Sequence, residues 1–359
     1  QFLESVGISR TTFLELLDQQ AIPDVLSKAI PLWVQELQAA YEQPEARRFE
    51  SEPLPEIPPD QEVYVFSIIL QPLVYFYAQR IRSAVQNLQI AYPQIPLDVD
   101  SVVNLLIQND QHFLNDLLYR TLILELNVAR MQGVLEGDTK SERFKSFLKR
   151  LRQADQVMAL FKEYPVLARQ ITLYLQQWAT ASIEFLARLC RDWVDIARHF
   201  NHGADLGSIR GIHMNQGDRH HGGRAVIIVA FSSGLKLVYK PRSIAADAHF
   251  QELLTWLNQR GASPDFRTIA ILPRETYGWI EFITPASCTS SEQVQRFYQR
   301  QGAYLALLYV LDATDFHHEN LLAAGEYPIL IDLEALFHPS FEKLGIRGIQ
   351  EIAQRAFGE

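Results

Sequence analysis

The sequence predicts an α+β protein: a largely helical N-terminal region over residues 1–200, then a mixed α+β core over residues 201–359. Three observations carry this. Apolar residues recur at three-four spacing through the first two hundred positions, glycine becomes frequent after His199, and two β-branched runs then follow, joined by a short polar turn.

Taken in order, the apolar run Val63–Ala78 contains Gln71 and Pro72. It is shorter than the roughly 18 residues needed to cross a bilayer, so it reads as a buried helix. Asp100–Met131 reads as one long helix with Val102, Val103, Leu106, Phe113, Leu114, Leu117, Leu118 and Leu122 on one face, and Asp100 or Ser101 as its cap. A second long helix is expected from Val166 to Phe200, carrying Leu173, Trp178, Phe185, Leu189, Trp193 and Ile196. Proline-rich breaks at Pro53–Asp60 and Pro93–Pro96 separate helices, because proline lacks an N–H and has a fixed φ. In the second region, Arg224–Phe231 and Leu235–Lys240 flank Ser232-Ser233-Gly234 and read as a β-hairpin. A helix at Ala245–Arg260, strands near Ile269–Leu272 and Tyr277–Ile283, a helix at Ser291–Leu311, a polar loop Asp312–Asn320 and a buried strand ending at Asp332 complete the expected order.

Composition narrows the function classes. Hydrophobic residues make up 48% and charged residues 21% of 359, which excludes a mainly disordered or collagen-like chain. A net charge of −9 argues against a nucleic-acid partner. The two cysteines, Cys190 and Cys288, form no CxxC and no disulfide framework, so a reducing, cytoplasmic compartment is expected. A start at Gln1 and a stop at Glu359 inside a helical pattern lead us to expect a fragment, truncated at its C-terminus.

Three features of the second region point to one chemistry. Lys240 ends the second strand of the hairpin, before Pro241, where its amine can neutralise nucleotide phosphates; taken alone it reads more readily as a strand-end lysine in solvent. Asp315-Phe316-His317-His318-Glu319-Asn320 lies on the polar loop before a strand that ends in Asp332. Phosphoryl transfer from ATP needs a carboxylate near the acceptor hydroxyl, an amide and a carboxylate for Mg²⁺, and a cation on the phosphates. The spacing D-x-H-x-x-N…D is closer to lipid kinases than to protein kinases. The alternatives are a histidine-rich surface loop, or zinc held by His317, His318, His220 and His221. The third feature is Gly217–Arg224 (GDRHHGGR), where Asp218 and His220 can form an acid–base pair, unless the segment is a solvated turn. There is no Walker loop and no G-x-G-x-x-G.

GDRHHGGR, LVYKPRS, YGWIEFI, DATDFHHEN and ILIDLEALFHP together resemble the N-terminal dehydratase domain of class II lanthipeptide synthetases. That resemblance implies a core similar to phosphoinositide lipid kinases behind a helical region. It implies phosphorylation of Ser and Thr in a leader-bearing precursor peptide, with ATP and Mg²⁺, and then elimination of the phosphate to dehydroalanine or dehydrobutyrine. Carried over, Lys240 contacts the ATP phosphates, Asp315 and His317 serve phosphorylation, and Asn320 and Asp332 bind Mg²⁺. Asp218 and His220 serve elimination. Glu334 is a candidate for the metal shell. Glu252 is a candidate partner for Lys240, or else a residue of a solvated helix face. An arginine and a threonine of the elimination set, and a C-terminal zinc cyclase domain, are expected only beyond Glu359. Two further readings stay open: a kinase-like phosphotransferase without elimination, and a catalytically silent peptide-binding module.

Overall fold

The computed structural model describes residues 30–54, 62–108, 111–214 and 221–336. It is an α+β fold with a helical N-terminal region, and it divides into two compact units, one of residues 1–84 and 107–183, the other of residues 85–106 and 184–359. Residues 1–29 of the expected helical region and most of the Pro53–Asp60 break lie outside the described residues.

The helices are α1 (Leu32–Glu42), α2 (Pro44–Ser51), α3 (Gln71–Ala91), α4 (Val99–Ile107), α5 (Gln111–Met131), α6 (Lys140–Leu151), α7 (Ala154–Glu163) and the long α8 (Pro165–Phe200). The apolar run that reads as one helix is divided. Glu62–Leu70 is a 3₁₀ stretch, and α3 begins at Gln71, where Pro72 can donate no backbone hydrogen bond to the preceding turn. The expected helix over 100–131 is likewise two helices, α4 and α5, and its cap is Asp98, whose carboxylate accepts from the Ser101 N–H at 2.6 Å. In the first unit Glu36 is a buried carboxylate that accepts from the Tyr77 hydroxyl and from Arg80, each at 2.7 Å. Thr139 and Glu142 form a reciprocal capping box at the start of α6. Among the described residues no helix is long and apolar enough to cross a membrane.

The second unit is built on an antiparallel five-stranded sheet of order β1-β2-β3-β5-β4. Its strands are β1 (Ile209–His213), β2 (Ile227–Phe231), β3 (Lys236–Lys240), β4 (Ile271–Pro273) and β5 (Gly278–Glu281). The β2–β3 hairpin forms where the β-branched runs place it, with Ile228 opposite Val238 and Ile227 opposite Tyr239. β1, by contrast, lies in the glycine-rich segment that reads as loop. Gly211 is tolerated there because β1 is an edge strand, with a register irregularity between Ile209 and Gly211.

Side chains alternate between the two faces of a strand. Ile227, Val229, Phe231, Leu237, Tyr239 and Trp279 are buried on one face. The C-terminal half of α8 covers that face: Phe185 lies 5.2 Å from the Tyr239 ring and Trp193 lies 5.6 Å from Phe231, centroid to centroid. A buried carboxylate on the same helix, Asp192, accepts from Trp279 Nε1 and the Tyr277 hydroxyl at 2.8 Å and from Arg274 Nε at 3.0 Å. The β4–β5 connection is thereby fastened to α8 by charge-assisted hydrogen bonds.

Two more helices, α9 (Ala245–Gln259) and α10 (Ser291–Val310), and a two-stranded hairpin, β6 (Leu321–Ala324) with β7 (Tyr327–Leu330), complete the unit. Phe250, Leu254, Phe266, Tyr304, Leu330 and Leu333 form one buried cluster, and Ile244, Ile269, Ile280, Ile283 and Ile329 another. Gly278 permits the second: a Cβ there would stand 2.1 Å from the Ile244 Cδ1. Neither cysteine is in a disulfide; Cys190 is buried, and the partly exposed Cys288 approaches the Gly325 carbonyl at 3.3 Å.

Glu326, in the turn of the β6–β7 hairpin, accepts from Arg296 and from the buried Arg300. Hydrogen bonds from these two guanidinium groups hold its pKa down, from 4.5 to about 2. The folded value lies below the unfolded one, so the stabilisation is complete above about pH 4.5 and is lost as pH falls towards about 2. Glu326→Gln is therefore expected to flatten the fall of the urea midpoint across that acid window, while the parent protein retains it.

Candidate functional site

The sheet face opposite α8 borders a cavity of about 690 Å³ lined by residues of the second unit alone. Its apolar wall includes Ile228, Val238 and Ile280, which are aligned across three neighbouring strands by the register of β2, β3 and β5. Lys240 lies on the same face two positions beyond Val238, at the end of β3.

The Lys240 ammonium is buried, and it donates to Asp247 Oδ1 at 2.9 Å and to the Ile331 carbonyl at 2.7 Å. Asp247 occupies the first turn of α9, where the helix dipole also favours a carboxylate. A buried ion pair of this kind persists only with good geometry and extra hydrogen bonds, and the Ile331 carbonyl supplies one.

The β6–β7 hairpin explains how the polar loop and the strand end meet. Asn320 precedes β6, Ile331 follows β7, and the Ile331 N–H donates to the Asn320 carbonyl at 3.1 Å. Asn320 thus faces Ile331, the residue before Asp332, although twelve positions separate Asn320 from Asp332. Asn320 Nδ2 donates to the Asp315 carbonyl at 2.8 Å, and the amide Oδ1 is an acceptor oxygen. Asp315 has φ of 61°, a left-handed conformation that turns the loop back towards Asn320. His317 Nδ1 accepts from the Glu319 N–H at 3.3 Å, which assigns the proton of the neutral ring to Nε2, 3.8 Å from Asp315 Oδ1.

Lys240, Asp315, His317, Asn320, Asp332 and Glu334 all line this one cavity. Glu252 does not. It is exposed on α9 and pairs with His249 at 3.0 Å, while Asp247, five positions earlier, partners the lysine. Asp218 and His220 lie outside the described residues, as does Gly217. Of that motif the structure describes a turn with Gly222 at φ 74° and Gly223 at φ 75°, and an Arg224 that donates to Glu184 of α8 at 2.7 Å.

Two residues of the cavity escape a reading of the sequence. One is Asp247, whose signal was an acidic residue in the first turn of the helix after the lysine. The other is Arg242, two positions past Lys240 in KPRS. Its guanidinium reaches Asp332 at 2.9 Å, Glu334 at 3.2 Å and Asp247 at 3.6 Å. Asp247 Oδ2 is buried and has no hydrogen bond. Among the described residues no three His, Cys, Asp or Glu side chains are grouped to hold a metal ion by themselves, and His220 of the zinc alternative lies outside them. The oxygen donors Asn320, Asp332 and Glu334 are instead of the kind that suits a hard divalent cation, which takes few protein ligands and keeps its waters.

Removing one partner of a buried pair strands the other charge. Asp247→Ala should cost about 3 kcal/mol in urea unfolding because Lys240 stays buried without its carboxylate. Glu252→Ala should leave the midpoint unchanged; the reverse order would make Glu252 the partner.

A family model described as a domain of unknown function (DUF4135) matches residues 164–357, more than half of the chain, and these include every motif singled out above. The chain is also 28% identical, over 249 residues, to the lacticin 481/lactococcin biosynthesis protein LcnDR2 of Lactococcus lactis subsp. lactis. That match covers 64% of this chain and 26% of the relative, so the chain spans about a quarter of its length. The resemblance read from the motifs is supported by both matches. On the first of them, this chain belongs to the DUF4135 family.

Proposed function

We propose that this chain is part of an enzyme that modifies a lanthipeptide precursor, dehydrating Ser and Thr by phosphorylation from ATP followed by elimination of phosphate. The observation that carries the reading is the convergence of Lys240, Asn320 and Asp332 on one cavity, in a chain similar to a lacticin 481/lactococcin biosynthesis protein.

The residues fit a magnesium-bound nucleotide. The apolar row Ile228–Val238–Ile280 suits a flat base, and Lys240 supplies a cation deep in the same cavity. The Arg242 guanidinium among Asp247, Asp332 and Glu334 already stands where positive charge is favoured, and Asp247 Oδ2, buried without a hydrogen bond and only 3.6 Å from that guanidinium, leaves room for a closer donor. Asn320 and Asp332, joined by Glu334, are the residues that would hold Mg²⁺, which when bound neutralises charge developing on the phosphates.

In the first step the peptide hydroxyl oxygen forms a bond to the γ-phosphorus, and the bond to the bridging oxygen of ADP breaks. Asp315 takes the hydroxyl proton, with His317 Nε2 beside that carboxylate at 3.8 Å. In the second step the α-proton is removed and the Cβ–O bond breaks, so phosphate departs and a double bond remains. We assign this step to Asp218 and His220, a carboxylate–imidazole pair able to work near neutral pH.

The test is mass spectrometry of a Ser/Thr-containing lanthipeptide precursor incubated with the protein, ATP and Mg²⁺. Loss of one water per modified residue is expected from the parent protein, the enzyme with its whole elimination set, whereas the present chain by itself should add phosphate without that loss. Asp332→Ala should slow this by orders of magnitude, since losing a charge clamp costs on the order of several kcal/mol in the transition state. His220→Ala should accumulate phosphorylated peptide. Undiminished rates in Asp332→Ala would overturn the metal assignment. A gain of phosphate from the parent protein, never followed by loss of water, would favour a phosphotransferase.

A further inference from the structure

One residue of the cavity has no part in the chemistry above. Arg242 follows the end of β3, and its three nitrogens are divided among three carboxylates: Nη2 to Asp332 Oδ1 at 2.9 Å, Nε to Glu334 Oε2 at 3.2 Å and Nη1 to Asp247 Oδ2 at 3.6 Å. Two of these carboxylates are those assigned to the metal. The third is buried, lines the same cavity and carries an oxygen without a hydrogen bond.

We infer that Arg242 is a resident counter-cation of the metal-binding carboxylates, which it holds until a nucleotide draws it away. The inference rests on the reading of this cavity as a magnesium–nucleotide site and adds to it an order of events. Three carboxylates face only two cations here, Lys240 and Arg242, so the cluster without either would repel itself. A guanidinium suits the role because it is planar, permanently charged and weakly hydrated, and its fork meets several oxygens at once.

A free divalent cation has to displace the guanidinium, and the lost contacts weaken its binding. Nucleotide phosphates change the balance, because they offer the guanidinium a second set of anionic oxygens for paired hydrogen bonds. As Arg242 turns to the phosphates, Asp332 and Glu334 are released to the metal. Metal and nucleotide then strengthen each other's binding by the same factor, as linkage requires.

The experiment uses Mn²⁺ as the probe. Free Mn²⁺ is followed by electron paramagnetic resonance while it is titrated into the full chain, with and without a non-hydrolysable ATP analogue. The parent protein should bind Mn²⁺ about tenfold or more tightly with the analogue present, within the usual range of such couplings. Arg242→Gln should bind Mn²⁺ about tenfold more tightly than the parent when no nucleotide is present, and the gain from the analogue should shrink. Arg242→Lys keeps one charge without the fork and should fall between the two. It also serves if the glutamine variant does not fold, which circular dichroism checks.

Equal or weaker Mn²⁺ binding by the unfilled variants than by the unfilled parent would overturn the inference, even with the nucleotide-bound site intact. If no protein binds Mn²⁺ with the analogue present, or if Asp332→Ala binds it as the parent does, the metal-site reading itself fails and the inference falls with it.

Discussion

The second unit depends on one buried ammonium. Lys240 ends a strand, its carboxylate partner opens the following helix, and its carbonyl partner lies beyond the last hairpin, ninety-one positions later. A lysine is seldom buried unless paired, because removing its charge from water is costly. Once it is buried, both partners must be within reach. That demand brings β3, α9 and the end of β7 to a common point, and the two apolar clusters provide the burial that offsets the desolvation.

The sheet divides the work between its faces. Tyr239 and Trp279 turn to α8, where aromatic packing and the Asp192 carboxylate make a rigid backing. Val238, Ile280 and Lys240 turn the other way and line the cavity. Alternation along a strand couples the two roles, since a slip of one residue in β3 would exchange them. Stability at the Asp192 side therefore protects the placement of Lys240, although the two carboxylate sites share no atom.

Much of this was legible in the sequence where local chemistry decides. β-branched runs around Ser232-Ser233-Gly234 gave the β2–β3 hairpin, and apolar spacing gave α8 to within a residue at its N-terminal end. Lys240, Asp315, His317, Asn320 and Asp332 stood out by order and residue type and the family resemblance added Glu334; all six line the one cavity. What was not legible depends on long-range geometry. Glycine frequency hid β1, which forms because β2 offers it an edge. β6 is only four residues, Leu-Leu-Ala-Ala, too short and too uniform to show a strand period, so the pairing that unites Asn320 with Ile331 was not seen. Glu252 and Asp247 lie on one helix, and only the rotation of α9 against β3 decides which meets the lysine. Arg242 drew no reading of its own, since no spacing rule announces a guanidinium shared by three carboxylates.

The cysteines have a practical consequence. Burial pushes the Cys190 thiol up to about 11, so at neutral pH almost none of it is the reactive thiolate. Cys288, partly exposed, contacts the turn of the β6–β7 hairpin through Gly325, and backbone hydrogen bonds tie Ala286 to Ala323 and Gly325. The whole chain has no other cysteine. A thiol-directed fluorophore would therefore attach chiefly at one place without any substitution. It would sit at the far end of the hairpin whose near end presents Asn320 and Ile331, an optical handle on the segment that joins the polar loop to the lysine.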